Sequence, residues 1–256
     1  MRGYDGYLID LDGTIYRGND VIEDAPLFID TLNRKNIPYL FVTNNSSKTP
    51  TAVAQQLQQM GIKATPEHVW TSSLATAQYI QNERNNARCF VIGERGLVQA
   101  LEEAGLNITN GNCEYVIVGL DRQLTYEKLA EATIAVRNGA KLISTNADLA
   151  IPSERGLLPG NGALTSVISK STGAQPLFIG KPESIMMNEA LKRLGTEKQR
   201  TIMVGDNYET DIMAGIRSGL DTLIVFTGVT SKKTMMTVKQ KPTYQVDHLS
   251  EWVNKI

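Results

Sequence analysis

The chain has 256 residues, 41% hydrophobic and 21% charged, a balance that excludes a disordered segment and allows a core without disulfide staples. A formal net charge of −1 and a pI of about 6.2 exclude a general binder of nucleic acid or of anionic membrane. Cys89 and Cys113 are isolated and read as buried free thiols, and with only His68 and His248 beside them a His/Cys zinc site lacks ligands.

In chain order, Tyr7-Leu8-Ile9 forms the first predicted strand, interrupted at once by Asp10 and Asp12, so no signal peptide is expected. Tyr39 to Val42 is the next strand. A helix follows from Thr49-Pro50, an N-cap and N1 pair, through Val53 and Leu57 to a stop at Gly61. Further strands are predicted at Cys89 to Ile92, Tyr115 to Val118 and Leu142-Ile143, with a helix from Thr125 to Gly139 between the last two. Asn146 to Gly162, rich in Gly and Pro, reads as one long irregular stretch. Leu177 to Ile179 is a strand, Glu183 to Leu194 a helix closed by Gly195, and Thr201 to Val204 and Thr222 to Val225 are strands. Short apolar runs without clean alternation suit strands buried on both faces, and their alternation with helices predicts a doubly wound parallel α/β sheet. No run approaches the ~18 apolar residues of a membrane-spanning helix, so a cytoplasmic protein without membrane partners is expected.

The strongest chemical signal is Asp10-Leu11-Asp12-Gly13-Thr14, directly past the first strand, where open parallel sheets bind ligands. Three weaker constellations also follow apolar strands: Thr43-Asn44-Asn45-Ser46, Gly180-Lys181-Pro182, and Gly205-Asp206-Asn207 with Thr210-Asp211. Singly, these read as a turn cluster, a surface lysine and an N-capped helix. Together they would converge on one rim of one sheet, and a hydroxyl, a lysine and several carboxylates form an inventory for phosphate and metal. Dinucleotide and P-loop readings fail on spacing: Gly160-Asn161-Gly162 lacks a third glycine, and Pro182 stands where a P-loop has Ser or Thr.

The order Asp10-x-Asp12-Gly13-Thr14, Thr43, Lys181, Gly205-Asp206-x-x-x-x-Asp211 resembles the haloacid dehalogenase superfamily of phosphohydrolases. Thr145-Asn146-x-Asp148 with Pro159-Gly160-x-Gly162 is similar to its NagD-like, 4-nitrophenylphosphatase-like branch. The resemblance implies a Rossmann-like core in which Asp10 is the nucleophile, giving an aspartyl-phosphate, and Asp12 the general acid and base. It further implies that Thr43, Asn44 and Lys181 bind the substrate phosphate. Mg²⁺ would be held by Asp10, Asp206 and the backbone carbonyl of Asp12, with Asn207 and Asp211 in the surrounding shell. Dehalogenating members lack the second acid, so Asp12 favours phosphate chemistry.

Thr43 and Lys181 stand 138 positions apart, and residues 85–179 carry their own strand–helix pattern. This predicts a catalytic core of residues 1–84 and 180–256 with an inserted α/β domain over 85–179, similar to the branch's type-two cap. Asn146, Asp148, Glu154 and Arg155 are the cap residues expected to face substrate, although Asn146 and Asp148 could equally tie their own turn. The expected activity is Mg²⁺-dependent hydrolysis of small phosphorylated metabolites such as sugar phosphates or nucleoside monophosphates. A phosphotransferase or phosphomutase, or a non-catalytic phosphate-sensing receiver, stays as an alternative. The natural substrate and homo-oligomerisation remain open at this stage.

Overall fold

A computed structural model describes residues 3–256, which divide into two compact units. The first holds the chain up to Thr43, Pro50–Trp70 and Lys181–Ile256; the second holds Asn44–Thr49 and Thr71–Gly180.

The first unit is built on a six-stranded sheet in the order Tyr244–Val246, Asp221–Val225, Thr201–Gly205, Gly6–Ile9, Tyr39–Thr43, Val69–Thr71, whose first five strands pair in parallel. Every residue of Gly6–Ile9, Tyr39–Thr43 and Thr201–Gly205 is buried, as expected of strands covered on both faces. Tyr7, Ile9, Phe41, Val204, Leu223 and Val225 pack on one face against Phe28, Leu32, Leu57 and Trp252. Ile224 packs with Tyr208, Ile212 and Met235. The predicted helices form over Pro50–Gln59, Tyr126–Arg137 and Ser184–Leu194, the last closed by Gly195 in the left-handed conformation.

The second unit is a five-stranded parallel sheet in the order Leu177–Phe178, Lys141–Ser144, Tyr115–Val118, Arg88–Ile92, Asn107–Ile108. Phe90, Ile92, Val116, Val118 and Leu142 pack on Ala132, Val136 and Ile168 to form its core. The long segment of this unit runs from Thr71 rather than from residue 85, and the short segment Asn44–Thr49 joins it. Helix Ser72–Glu83 packs on Arg95–Glu103, and Glu83 accepts hydrogen bonds from Tyr115 Oη and Lys141 Nζ at 3.1 Å each. Counting elements along the chain assigned that helix to the core; its partners belong to the inserted sheet.

Two further expectations change. The stretch 146–162 is not irregular throughout, because Ala150–Ser153 pairs antiparallel with Gly156–Pro159 and a helix starts at Asn161. A two-stranded ribbon with free edges accepts Pro152 and Pro159, which masked it in the sequence. Cys89 is buried but Cys113 only half-buried, and both are free thiols. Among the described residues no helix is long and apolar enough to cross a membrane.

Candidate active site

The carboxyl ends of four adjacent strands in the first unit carry polar residues. Ile9 leads into Asp10–Thr14, the strand Tyr39–Thr43 ends on Thr43, Gly205 leads into Asp206, and Val225 leads into Thr227–Thr230. Three of these are sequence-predicted. Lys181 differs from expectation: Leu177–Phe178 before it is the edge of the other sheet, so no strand of this sheet delivers it. It lies at the start of the segment leading to helix Ser184–Leu194, and its ammonium reaches under the rim to donate to the Val42 carbonyl at 2.9 Å.

Lys181 is buried and makes ion pairs with Asp10 and with Asp211, the latter at 2.8 Å. One carboxylate oxygen each from Asp10, Asp206 and Asp211, all buried, lie within 4.8 Å of one another. With all three carboxylates ionised against one ammonium the cluster would carry −2, a charge that a divalent cation would neutralise. Hard oxygen donors of this kind suit Mg²⁺ or a similar ion. Space is kept for the carboxylates by glycine. Gly13 has φ +90°, in the left-handed region, and a Cβ at Gly13 or Gly228 would collide with the Asp206 carboxylate, as one at Gly205 would with Asp211.

Burial and repulsion set the protonation behaviour. Asp10 is pushed well above the usual carboxylate range by burial and by Asp211, with Lys181 pulling the other way and Asp206 adding to the rise. Burial and Asp211 raise Asp206 to about 6, while the Val229 N–H and Thr14 hydroxyl hold it down. Although burial opposes it, the pairing with Asp10 and Asp211 keeps the Lys181 ammonium above the ordinary lysine range. Asp12 is exposed, in contrast to Asp10 two residues earlier, yet partial desolvation raises it above the usual value against a Gly18 N–H. One strand end thus presents a buried carboxylate beside a cation and an accessible one that holds its proton more tightly than usual.

Asp211 and Asn207 are tied to each other at the end of the Thr201–Gly205 strand. Asp211 sits on a π-helical turn, Tyr208–Ile212, a geometry common at functional sites. Its Oδ2 accepts from Asn207 N at 3.0 Å, and Asn207 Oδ1 caps the turn through Glu209 N at 3.0 Å. Thr43 is buried at its strand end.

Asn44 begins the second unit, and its side chain is engaged there. Its Nδ2 donates to both carboxylate oxygens of Asp148 at 3.2 Å, and its carbonyl accepts from Asn146 Nδ2 and Ser72 Oγ at 2.8 Å each. Asn146 is itself buried, with Oδ1 accepting from Asp148 N at 3.1 Å. Its side chain ties turn and neighbour together, the structural alternative of the sequence reading. Glu154 and Arg155 lie apart, exposed at the tip of the Ala150–Pro159 hairpin.

The sequence reading missed Thr227–Thr230 and the short hairpin Tyr16–Arg17/Asp20–Val21 that follows the Asp10 turn. A signal for the first was present: Thr227-Gly228-x-Thr230 follows a recognised apolar strand, as the other constellations do.

Residues 7–107 match the model of the haloacid dehalogenase-like hydrolases (Hydrolase_6), and residues 178–252 match that of the related HAD-like hydrolases (Hydrolase_like). The 5'-nucleotidase YutF of Bacillus subtilis is 57% identical over 253 residues, covering 99% of both chains. The acid sugar phosphatase of Staphylococcus epidermidis is 55% identical, covering 98% of this chain and 97% of its own. Among solved structures, a mutant of the thermostable p-nitrophenylphosphatase of Bacillus stearothermophilus superposes with a TM-score of 0.91 at 60% identity, covering 98% of this chain and 99% of that one. The chain belongs to the haloacid dehalogenase-like hydrolases, with a Rossmann-like core and an added cap. Within them it is a NagD-like phosphatase, a phosphoric monoester hydrolase.

Proposed function

We propose that this enzyme hydrolyses small phosphorylated metabolites, sugar phosphates or nucleoside monophosphates among them, in a Mg²⁺-dependent reaction through an aspartyl-phosphate on Asp10. The relatives named for acid sugar phosphatase and 5'-nucleotidase activity support the substrate class. The observation that carries the reading is the buried cluster of Asp10, Asp206 and Asp211 around one lysine, two negative charges in excess.

Asp10, Asp206 and the Asp12 carbonyl would hold Mg²⁺, whose charge screens the substrate dianion from the carboxylates. The Asp10 carboxylate attacks phosphorus as the ester P–O bond breaks, and the exposed Asp12, its proton held above the usual range, protonates the departing alkoxide. Asp12, now ionised, takes a proton from water. The resulting hydroxide attacks the phosphoryl group, freeing inorganic phosphate and restoring Asp10. Lys181 pairs with Asp10 and stabilises the charge gathering on the phosphoryl oxygens, with Thr43 and the Asn44 backbone as hydrogen-bond donors. The second unit, with its exposed hairpin, is the proposed selector of the alcohol part.

Hydrolysis of 4-nitrophenyl phosphate should cease in excess chelator and return with added Mg²⁺. Asp10→Asn, with an unchanged far-UV spectrum, should lose activity by roughly 10⁴-fold or more. Undiminished turnover in either experiment would remove the metal or the nucleophile, respectively, from the mechanism.

A further inference from the structure

The Asp206 carboxylate is held in part by a segment that belongs to none of the four recognised constellations. Val229 N donates to Asp206 Oδ2 at 2.7 Å, while Thr14 Oγ1 donates to Oδ1 at 3.1 Å, so each oxygen has one fixed donor and a further lone pair. Thr230 N donates to the Asp206 main-chain carbonyl at 3.2 Å. The Thr230 hydroxyl accepts from Tyr208 N at 2.8 Å, at the start of the turn that carries Asp211. One step earlier, Thr227 Oγ1 donates to the Gly13 carbonyl at 2.7 Å, inside the turn that follows Asp12. The Thr227 carbonyl in turn accepts from Arg17 Nε, on the hairpin after that turn.

We propose that Thr227–Thr230 is a positioning brace for the cation site, with the Thr227 hydroxyl joining the Gly13 turn to the Asp206 support. The inference rests on the metal-dependent reading above and assigns the brace to residues outside its ligand set.

The side chains that the segment buries are those that make its hydrogen bonds to the site. Thr227 and Thr230 are 4% and 7% exposed while Val229 is 74% exposed, so what the segment buries is polar. The segment contributes hydroxyls and backbone N–H groups to the site and turns its one large apolar side chain outward. Gly228 completes the fit, because any Cβ there would strike the Asp206 carboxylate. The reason for a brace is electrostatic. Asp10, Asp206 and Asp211 repel one another, and donors must hold Asp206 in the ligating orientation before the ion arrives. Outer partners of this kind are worth about 10–100-fold in metal affinity.

The test is a Mg²⁺ titration of the full-length, metal-free protein by calorimetry, with no substrate present, beside thermal melts in chelator. Thr227→Val keeps shape and removes the hydroxyl; it should weaken Mg²⁺ binding about 10–100-fold. Thr227→Ser should restore binding to within about threefold, because the donor returns. Val229→Pro removes the N–H that Asp206 Oδ2 accepts and also fixes the local backbone, beneath an exposed side chain; where the fold is kept it should weaken binding to a similar extent. Wild-type affinity in folded Thr227→Val and Val229→Pro would overturn the brace. Loss of the fold in both variants would also overturn it, since the loop would then be a part of the fold itself. A wild-type protein that binds no Mg²⁺ would remove the underlying metal reading, an outcome distinct from unchanged affinity in the variants.

Discussion

The two units repeat one architecture and use it differently. Each is a parallel sheet whose strand ends carry a polar network. In the first, the network is ionic: Asp10, Asp206, Asp211 and Lys181 are buried with an excess negative charge. In the second, it is mostly amide and hydroxyl. Asn161 Nδ2 lies 2.9–3.2 Å from Val118 O, Ser144 Oγ, Thr145 Oγ1 and Asn146 O, and Asn146 passes the connection on to Asn44. Position at a strand end is common to both. Buried carboxylates in excess of cations distinguish the first rim, the proposed site of reaction, because such groups are costly to ionise unless substrate or a cation offsets them.

Of the changes that bear on this comparison, the largest expected effect comes from removing the cation of the ionic rim. Lys181→Met should lower turnover of 4-nitrophenyl phosphate by about 10²–10³-fold. In chelator at pH 8 it should also destabilise the protein by about 3–5 kcal/mol, as loss of one partner of a buried pair does. Denaturant melts in chelator and in Mg²⁺ measure this. Stability equal to wild type would mean that the lysine serves substrate alone.

A smaller effect sharpens the comparison through pH. The folded Asp206 is raised to about 6 from its ordinary 3.8, so between those values the native state binds more protons than the unfolded chain. Its contribution therefore favours the metal-free protein at low pH and is lost as pH rises towards about 6. A bound divalent ion needs the ionised form, so Mg²⁺ should raise the melting temperature more at pH 8 than at pH 5. An equal rise at both would detach the cation from this cluster.

The smallest effect belongs to the second rim. Asn161→Ala leaves the buried Val118 and Asn146 carbonyls without that donor and should cost about 1–3 kcal/mol. Turnover of 4-nitrophenyl phosphate at saturation should stay within about threefold of wild type. A hundredfold fall in turnover with little change in stability would place the amide network in the chemistry and erase the distinction between the rims.

Local order along the chain determined much of this protein. Buried strands declare themselves as short apolar runs. Asp10, Asp12, Thr43 and Asp206 were legible as candidates because each stands at or just past such a run, where polar residues interrupt a pattern that would otherwise continue, and Asp211 through its spacing from Asp206. Lys181 also follows an apolar run, but that strand belongs to the other sheet, so the run did not reveal which sheet the lysine serves. Tertiary structure alone decided what depends on partners distant in sequence. Helix Ser72–Glu83 joined the second unit because Tyr115 and Lys141 reach Glu83. Asn146 became a tie because Asn44, 102 positions away, supplies the carbonyl it binds. Thr227–Thr230 became part of the site because Gly13 and Asp206 lie beside it in space. Strand propensity and burial act over a few residues and can be read there, whereas a hydrogen bond is decided by whichever group the fold brings within about 3 Å.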